Sequence, residues 1–366
     1  MTQTTWPDSA IPWEHGVPGG KRPGPRLPQS PTPGHRQTGA AGQSFAPIPA
    51  DQIGYLVATA ARAPSLHNSQ PWRFFADGDA LELHADASRG LRRVDPDGRE
   101  MLISCGAALF GLRLAIRNLG YVPVTKVFPS EAQPGLLARV QLGAQVPLSP
   151  PERVFVKAIA HRHTHRGPFN GEPVPRGLLP GLQHDAVAEG ATLALLAKPV
   201  LLPLAEMVAA ANQLQRQHPV LRAELRRWTR PVGSTARDGV PAHAYPASPP
   251  QVPGRLPQRD FDLGRGWGRL DGGGSSPAIT AVLTTNGDDR ADWIRAGQAL
   301  HRLLVHAASQ WVFASLYSQP IELPTLRAEI RARLGLLGAP QMLLQLGRAN
   351  VAPATARRPA GDLLSA

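Results

Sequence analysis

Ala63-Pro64-Ser65-Leu66-His67-Asn68-Ser69-Gln70-Pro71-Trp72 is the stretch on which the reading of this chain turns. Upstream, Ile53, Leu56, Val57, Ala60 and Ala61 recur at helical spacing after Pro49-Ala50-Asp51, which predicts a helix ending before Pro64. Downstream, Trp72 to Ala76 predicts a strand and Asp77-Gly78-Asp79 a turn. Leu81, Leu83 and Ala85 then alternate with Glu82, His84 and Asp86, completing a hairpin with one wet face. Two prolines stiffen the segment between. Ser65, His67, Asn68 and Gln70 crowd donors and acceptors into it, which suits a heteroaromatic ring with several edge oxygens and nitrogens. The same residues also suit a hydrogen-bonded turn that binds nothing.

Further along, Ile103, Ala107, Phe110, Leu114 and Ile116 predict a helix from about Gly98 to Leu119, with Gly120 as its stop signal. Strands follow near Val122–Phe128 and Leu136–Leu142. Ser149-Pro150-Pro151-Glu152 carries a capping box and starts a helix through Val154, Phe155, Ala158 and Ile159. Helices are expected near 176–187, 200–217, 219–229, 288–309 and 321–334, and strands near Thr192–Leu196, Ala278–Thr285 and Met342–Leu346. The tail from Gly347 reads as loop. Residues 1–46 are rich in Pro, Gly and Gln and read as a disordered leader. Residues 231–276, with their Pro, Gly and Arg, read either as a functional lid or as a disordered insertion. Strands and helices mix without a strict βαβ rhythm, which points to α+β. No GxGxxG follows a strand and no GxxxxGK[ST] occurs, so Rossmann and P-loop readings lack support.

The 366 residues allow two lobes. No run of ~18 apolar residues occurs, and no apolar segment follows the N-terminal basic residues, so neither a membrane span nor a secretory signal is expected. A single cysteine, Cys105, suits a reducing, cytoplasmic location, and its helical context makes it a small buried residue. The net charge of +12 comes almost wholly from arginines scattered along the chain. Without a basic block interleaved with aromatics, nucleic acid is the weakest partner reading.

A second constellation is His161-Arg162-His163-Thr164-His165-Arg166-Gly167-Pro168-Phe169. Two guanidinium groups and a hydroxyl can clasp a phosphate. The alternating histidines invite a metal, but Arg162 and Arg166 would set positive charge beside it, and no acid or thiolate is local, so no metal is expected. A solvated basic loop remains open. A third element is Ala354-Thr355-Ala356-Arg357-Arg358-Pro359, either solvated or folded back as a further phosphate clamp.

Taken together these segments resemble the nitroreductase superfamily, most closely its Acg-like branch of FMN-binding oxidoreductases. The resemblance spans about residues 50–362 and rests on AARAPSLHNSQPWRF, DPDGREMLISCGAAL, AIAHRHTHRGPF, LRAELRRW, VLTTNGDDRADWIRAGQALHRLLVHA, QPIELPTLR, GAPQMLLQLGR and TARRP. It implies a nitroreductase-like α+β fold of helices packed around mainly antiparallel sheets. Ordinary members are homodimers with each flavin at the subunit interface, and their phosphate motif precedes the Pro-Ser-x-x-Asn motif. Here Pro64–Asn68 comes before Arg162–Arg166. A tandem fusion explains the inversion: two lobes, 47–148 and 149–366, form an internal pseudo-dimer with one complete FMN site, and residues 231–276 are a lid-like insertion.

Carried over, the resemblance assigns Arg162, His163, Thr164 and Arg166 to the phosphate, with Arg357 or Arg358 from the tail. It sets Ser65, His67, Asn68 and Gln70 at the isoalloxazine, with His67 a candidate positive group near the ring, and Ser318-Gln319 beside the flavin N5. It implies hydride transfer from NAD(P)H through FMN to a nitroaromatic or quinone acceptor, needing no dedicated acid or base, in a monomeric pseudo-dimer or loose homodimer. A flavin-sequestering protein is the alternative. Where the family has Ala-x-x-x-Gly-Leu, this chain reads Ala307-Ala308-Ser309-Gln310-Trp311-Val312, and Trp311 is expected to crowd the flavin pocket.

Overall fold

The computed structural model describes residues 45–247, 256–270, 278–350 and 353–365. All but the last two positions of the expected leader lie outside the described residues, as do two parts of the 231–276 insertion.

The elements follow the sequence closely in the first part of the chain. α1 (Ala50–Ala60) buries Leu56, Val57 and Ala60, and the hairpin of β1 (Trp72–Asp77) and β2 (Ala80–Ala85) follows. α2 (Arg99–Asn118) is capped at its start by Asp95, whose two carboxylate oxygens accept from the backbone N–H groups of Glu100 and Met101 at 3.0 and 2.8 Å. It stops at Gly120, whose φ of 88° lies in the left-handed region that glycine adopts without strain. β3 (Tyr121–Val127) and β4 (Leu136–Gln145) complete this part. α3 (Pro150–Ala158) starts at the expected Ser149–Glu152 capping box.

Next come α4 (Leu178–Ala188), β5 (Thr192–Leu195), α5 (Leu201–Gln217) and α6 (Pro219–Arg227). The short pair β6 (Thr229–Arg230) and β7 (Val240–Pro241) opens the insertion, and β8 (Ile279–Thr285) and α7 (Arg290–Ser309) follow it. The chain ends through β9 (Val312–Tyr317), α8 (Gln319–Glu322), α9 (Pro324–Arg333), β10 (Ala339–Arg348), α10 (Ala360–Leu363) and β11 (Leu364–Ser365).

Two sheets organise the molecule. One runs β11-β1-β2-β4-β3, antiparallel except where β11 joins β1 in parallel. The other runs β5-β8-β10-β9 and is antiparallel throughout. The architecture is therefore α+β, as expected. Four strands were not expected: the short pair β6 and β7, and β9 and β11. β9 follows directly on α7, where Trp311 carries the turn, and its run Val312–Tyr317 belongs fully to a buried sheet. β11 comes from the tail read as loop, and Leu363 before it is fully buried in the first core.

Between the sheets, α2 and α7 cross at unusually short range. A Cβ added to Gly106 would meet the Ile294 carbonyl oxygen at 2.2 Å, and one added to Gly297 would meet that of Ile103 at 2.0 Å. Gly106 sits seven residues past the first residue of α2, and Gly297 seven past the first of α7. Ile103 and Ile294 each lie three residues earlier, and the contacts are reciprocal, as across a twofold interface between identical subunits. The isoleucines are exchanged: Ile294 of α7 is buried in the core around the first sheet, and Ile103 of α2 in the core around the second.

The insertion is not structureless. Val240, Ala242, Ala244, Tyr245 and Phe261 bury against Leu225 of α6, a small core of their own. Asp262 ties the segment down by accepting from the backbone N–H groups of Gly266, Trp267 and Gly268 at 2.7–3.0 Å.

Candidate functional site

The stretch Ser65–Gln70 is wound tightly. His67, Asn68 and Gln70 take φ values of 50°, 57° and 52°, a conformation that costs a non-glycine residue about 1 kcal/mol or more each. Hydrogen bonds hold it there. The Asn68 amide donates to the carbonyls of Gly239 and Ala356 at 3.0 and 3.1 Å. Gln70 donates to Arg237 O at 2.8 Å and accepts from the Arg358 backbone N–H at 2.8 Å. Asn68 and Gln70 thus lash the turn to the insertion and the tail. Ser65 and His67 face inward.

They face a cavity of ≈ 710 Å³ of atom-free space, part of it open to solvent. Ser65 and His67 meet Thr164 and Arg166 from the second constellation there, with Glu100 and Ser104 of α2, Ser318, and Gln258, Arg259 and Phe261 of the insertion. Leu300, Leu316 and Met342 are among the apolar walls. The 164–165 segment is held against β9, since His165 N donates to Ala314 O at 2.8 Å and Ser315 Oγ donates to His165 O at 3.0 Å.

Beyond Arg166 the site becomes strongly cationic. Arg162 is 4% exposed and donates one N–H to Arg62 O at 2.9 Å. Arg357 donates to Ala61 O and Ala63 O at 2.9 and 3.2 Å. Both arginines are thus held by carbonyls at the C-terminal end of α1, the end that favours cations. Burial first, then Arg166 and Arg62, pushes Arg162 down to about 10; burial and Arg259 do the same to Arg166; and Arg357 moves in the same direction through burial and Arg162, Arg166 and Arg62. A guanidinium remains charged under these conditions, so the direction records a demand for an anion. No salt bridge serves Arg62, Arg162, Arg166 or Arg357 among the described residues. Arg162 Nε and Nη1 and Arg166 Nη1 are buried without a hydrogen-bond partner among them. Unpartnered buried guanidinium N–H groups are costly and call for a counter-charge.

The sequence-predicted residues therefore separate. Ser65, His67, Thr164 and Arg166 line the cavity, and Arg162 and Arg357 build the cationic end behind it. Half-buried His163 sits there too, pushed down to about 4 by burial and by Arg162, Arg357 and Arg62, hence neutral. Arg358 donates to Asp362 O at 2.6 Å while Arg357 bonds the carbonyls of Ala61 and Ala63, so Arg357 is the tail residue of the cluster. The Gln319 amide donates to Asn212 at 3.1 Å, and its neighbour Ser318 reaches the cavity.

Two expectations are corrected. His67 is not a positive group: burial, Arg259 and Arg166 drive it well below its usual value, so it is neutral. Trp311 does not crowd the pocket; it is 60% exposed, 5.5 Å from His161. Cys105 is fully buried, as expected, and its thiol is pushed up by burial.

Sequence reasoning missed Arg62, Glu100, Arg259 and Phe261. Arg62 and Glu100 lie inside the quoted motifs, and their charge at a motif edge was the available signal. Arg259 and Phe261 carried none, because nothing local says that the insertion folds inward.

No protein-family model matches the chain. Among curated proteins it is 32% identical to "Putative NAD(P)H nitroreductase Rv3131" of Mycobacterium tuberculosis, covering 84% of this chain and 90% of the relative. It is 30% identical to "Putative NAD(P)H nitroreductase acg" of the same organism, over 86% and 96%. A solved nitroreductase with bound FMN from Desulfitobacterium hafniense aligns with a TM-score of 0.37 at 15% identity, over 58% of this chain and 97% of that one. The chain belongs to the Acg-like family of the nitroreductase superfamily.

Proposed function

We propose that this chain is an FMN-dependent oxidoreductase in which lobes 47–148 and 149–366 form a pseudo-dimer around one flavin. The observation that carries the reading is an anion-demanding set, buried Arg162 with half-buried Arg166 and Arg357, of which Arg166 lines a cavity whose walls come from both lobes. A phosphate dianion answers that demand, and orphaned N–H groups on Arg162 and Arg166 are the donors it needs. We place the rest of FMN along the cavity from Thr164 and Arg166 toward Ser65, His67 and Glu100.

Bound FMN supplies hydride acceptance and donation at its N5. The chain's own residues bind, orient and shield it. Arg166 and Arg259 provide the positive field that His67, being neutral, does not. NAD(P)H is the electron donor and a nitroaromatic or quinone the acceptor. No helix among the described residues is long and apolar enough to cross a membrane.

The decisive experiment is an FMN titration followed by anaerobic addition of NADH or NADPH. Tight binding at one FMN per chain, with bleaching of the flavin absorbance and reoxidation by a quinone or nitro compound, is expected. Absence of FMN binding rejects the proposal. One observation favours a second reading, flavin sequestration: Phe261 of the insertion lies edge-on to His67 at 5.5 Å, with the Arg166 guanidinium 5.5 Å above its ring. Tight binding without reduction by either nicotinamide selects that reading.

A further inference from the structure

Glu100 opens α2 and is 3% exposed, yet it lines the cavity. One of its oxygens, Oε1, is held by Arg99, which also donates to the carbonyl and side chain of Gln341 on β10 at 3.0 and 2.9 Å. No hydrogen bond from the described residues holds Oε2.

Two other buried carboxyls stand near it, and both are fully engaged. Asp95 accepts two backbone N–H bonds. Glu322 of α8 accepts from Arg259 and from Gln215, each at 2.6 Å. The guanidinium groups facing this trio are Arg99 on the same helix and Arg259 from the insertion. Arg327 of α9 also faces it but is paired with Asp288 at 3.1 Å. Three carboxyls thus share the Arg99 and Arg259 guanidinium groups, and Glu100 is the one with an oxygen that no described group holds. His67 and Arg166, in the same cavity, are neutral and positive respectively, while α7 and β10 present only Leu300, Met342 and the uncharged Gln341. The cavity so runs from a cationic end to an end with one carboxyl in excess.

We propose that Glu100 is the acid of this cavity, giving its proton to the oxygen of a bound quinone-class acceptor; this rests on the flavin reading above. The carboxyl O–H breaks and an O–H bond forms on the acceptor. The electron pair arrives as a hydride from the reduced flavin, itself reduced by NAD(P)H, so quinone plus hydride plus proton gives hydroquinone. Glu100 is left as carboxylate beside Arg99 and regains its proton from solvent. Its surroundings favour proton donation near neutral pH. Burial first, with Glu322 and Asp95 adding to it against Arg99 and Arg259, raises the Glu100 carboxyl to about 7. A general acid works best near the operating pH.

Two measurements test this. In the flavin-free chain, the infrared carboxyl band is followed with pH for wild type and Glu100→Gln. A band that bleaches near pH 7 in wild type and is missing from the variant is expected; no such band overturns the proposal. With FMN bound, the reduced protein is mixed anaerobically with 1,4-benzoquinone. Wild-type reoxidation should slow as pH rises through about 7. Glu100→Gln should be slower by about a hundredfold at pH 6 and flat with pH, while Glu100→Asp restores both rate and pH dependence in part. Equal rates and profiles in wild type and Glu100→Gln overturn the proposal while leaving the flavin reading intact. Wild type that binds no FMN overturns both. Should Glu100→Gln fail to fold, Glu100→Asp decides: a pH profile identical to wild type counts against Glu100, and a shifted one supports it.

Discussion

The two halves of this chain share a frame and differ in what they do with it. REMLISCGAALF opens α2 and RADWIRAGQALH opens α7, with Arg, Ile, Gly, Ala and Leu recurring at the same places. In each half the opening arginine reaches toward the other. Arg99 bonds Gln341 of β10, and Arg290 donates to Pro134 O at 2.6 Å while lying 4.7 Å over the Phe128 ring. There the likeness ends. Where α2 continues with Glu100, α7 continues with Ala291, and Phe128 and Trp293 pack on the first core. One half-frame carries a polar cavity and the other an apolar plug. Packing between two crossing helices constrains both partners equally, whereas the chemistry of a site constrains only the copy that performs it.

The largest effect should come from attacking what the halves share. Gly106→Val and Gly297→Val each drive a side chain into backbone that cannot yield. Each should destabilise the chain by about 3 kcal/mol or more, beyond ordinary overpacking, because carbonyl oxygens and not flexible side chains are in the way. Urea unfolding of the two variants should give similar losses. A severe loss at one glycine and a mild one at the other would break the symmetry argued here.

Attacking what the halves do not share should separate binding from stability. Arg162→Ala should remove the proposed charge-assisted phosphate contact, worth about 1.5–3 kcal/mol, roughly tenfold to a hundredfold in FMN affinity. It should leave the affinity for riboflavin, which has no phosphate, nearly unchanged. The flavin-free variant should be at least as stable as wild type, since a buried unpaired charge has gone. Arg290→Ala, at the place in α7 that Arg99 holds in α2, should leave FMN affinity alone. Fluorescence titration with both flavins checks all of these, and equal losses for FMN and riboflavin would remove the phosphate from the argument.

Protonation sharpens the contrast further. His301 occupies in α7 the place that Phe110 occupies in α2, and the two rings meet edge to face at 5.4 Å. The His301 Nδ1 lies 2.6 Å from Ala107 O, and burial, with Arg162 next, pushes the ring down to about 3. A histidine depressed in the folded state contributes stability that is complete above its unfolded value near 6.5 and is lost as pH falls toward 3. Glu100, raised to about 7, works the other way, and its contribution declines as pH rises from the unfolded value near 4.5 to about 7. Urea midpoints across pH 4 to 8 should therefore show His301→Phe removing part of the acid-side fall, by roughly 1 kcal/mol per pH unit, and Glu100→Gln removing part of the decline toward neutrality. A variant whose midpoint follows wild type at every pH would acquit that residue.

Much of this was legible in the sequence and some was not, for physical reasons. α1, the first hairpin, α2 and the Ser149 cap declare themselves through local periodicity and turn chemistry. The pairing of Ser65–His67 with Thr164–Arg166 was visible only through motif order, because contacts between distant segments leave no local trace. The recurrence of Arg, Ile, Gly, Ala and Leu was present all along, at a spacing too wide for reading one element at a time. β11 was hidden because its partner β1 lies at the far end of the chain. The inward fold of Phe261 was hidden because an Arg- and Pro-rich stretch reads as loop whether or not it packs.

Trp311 offers the mildest test. It stands at the glycine of the family's Ala-x-x-x-Gly-Leu pattern, and its φ of 57° explains why glycine suits that place. A tryptophan there bears about 1 kcal/mol of backbone strain, partly offset by contacts with His161 and Phe313 at 5.5 and 6.4 Å. Trp311→Gly should therefore raise stability by about 0.5 kcal/mol and leave FMN affinity unchanged, because the exposed ring is not part of the cavity. Had the ring crowded the flavin, the same substitution would tighten FMN binding, so a single titration of this variant distinguishes a strained surface turn from an obstructed site.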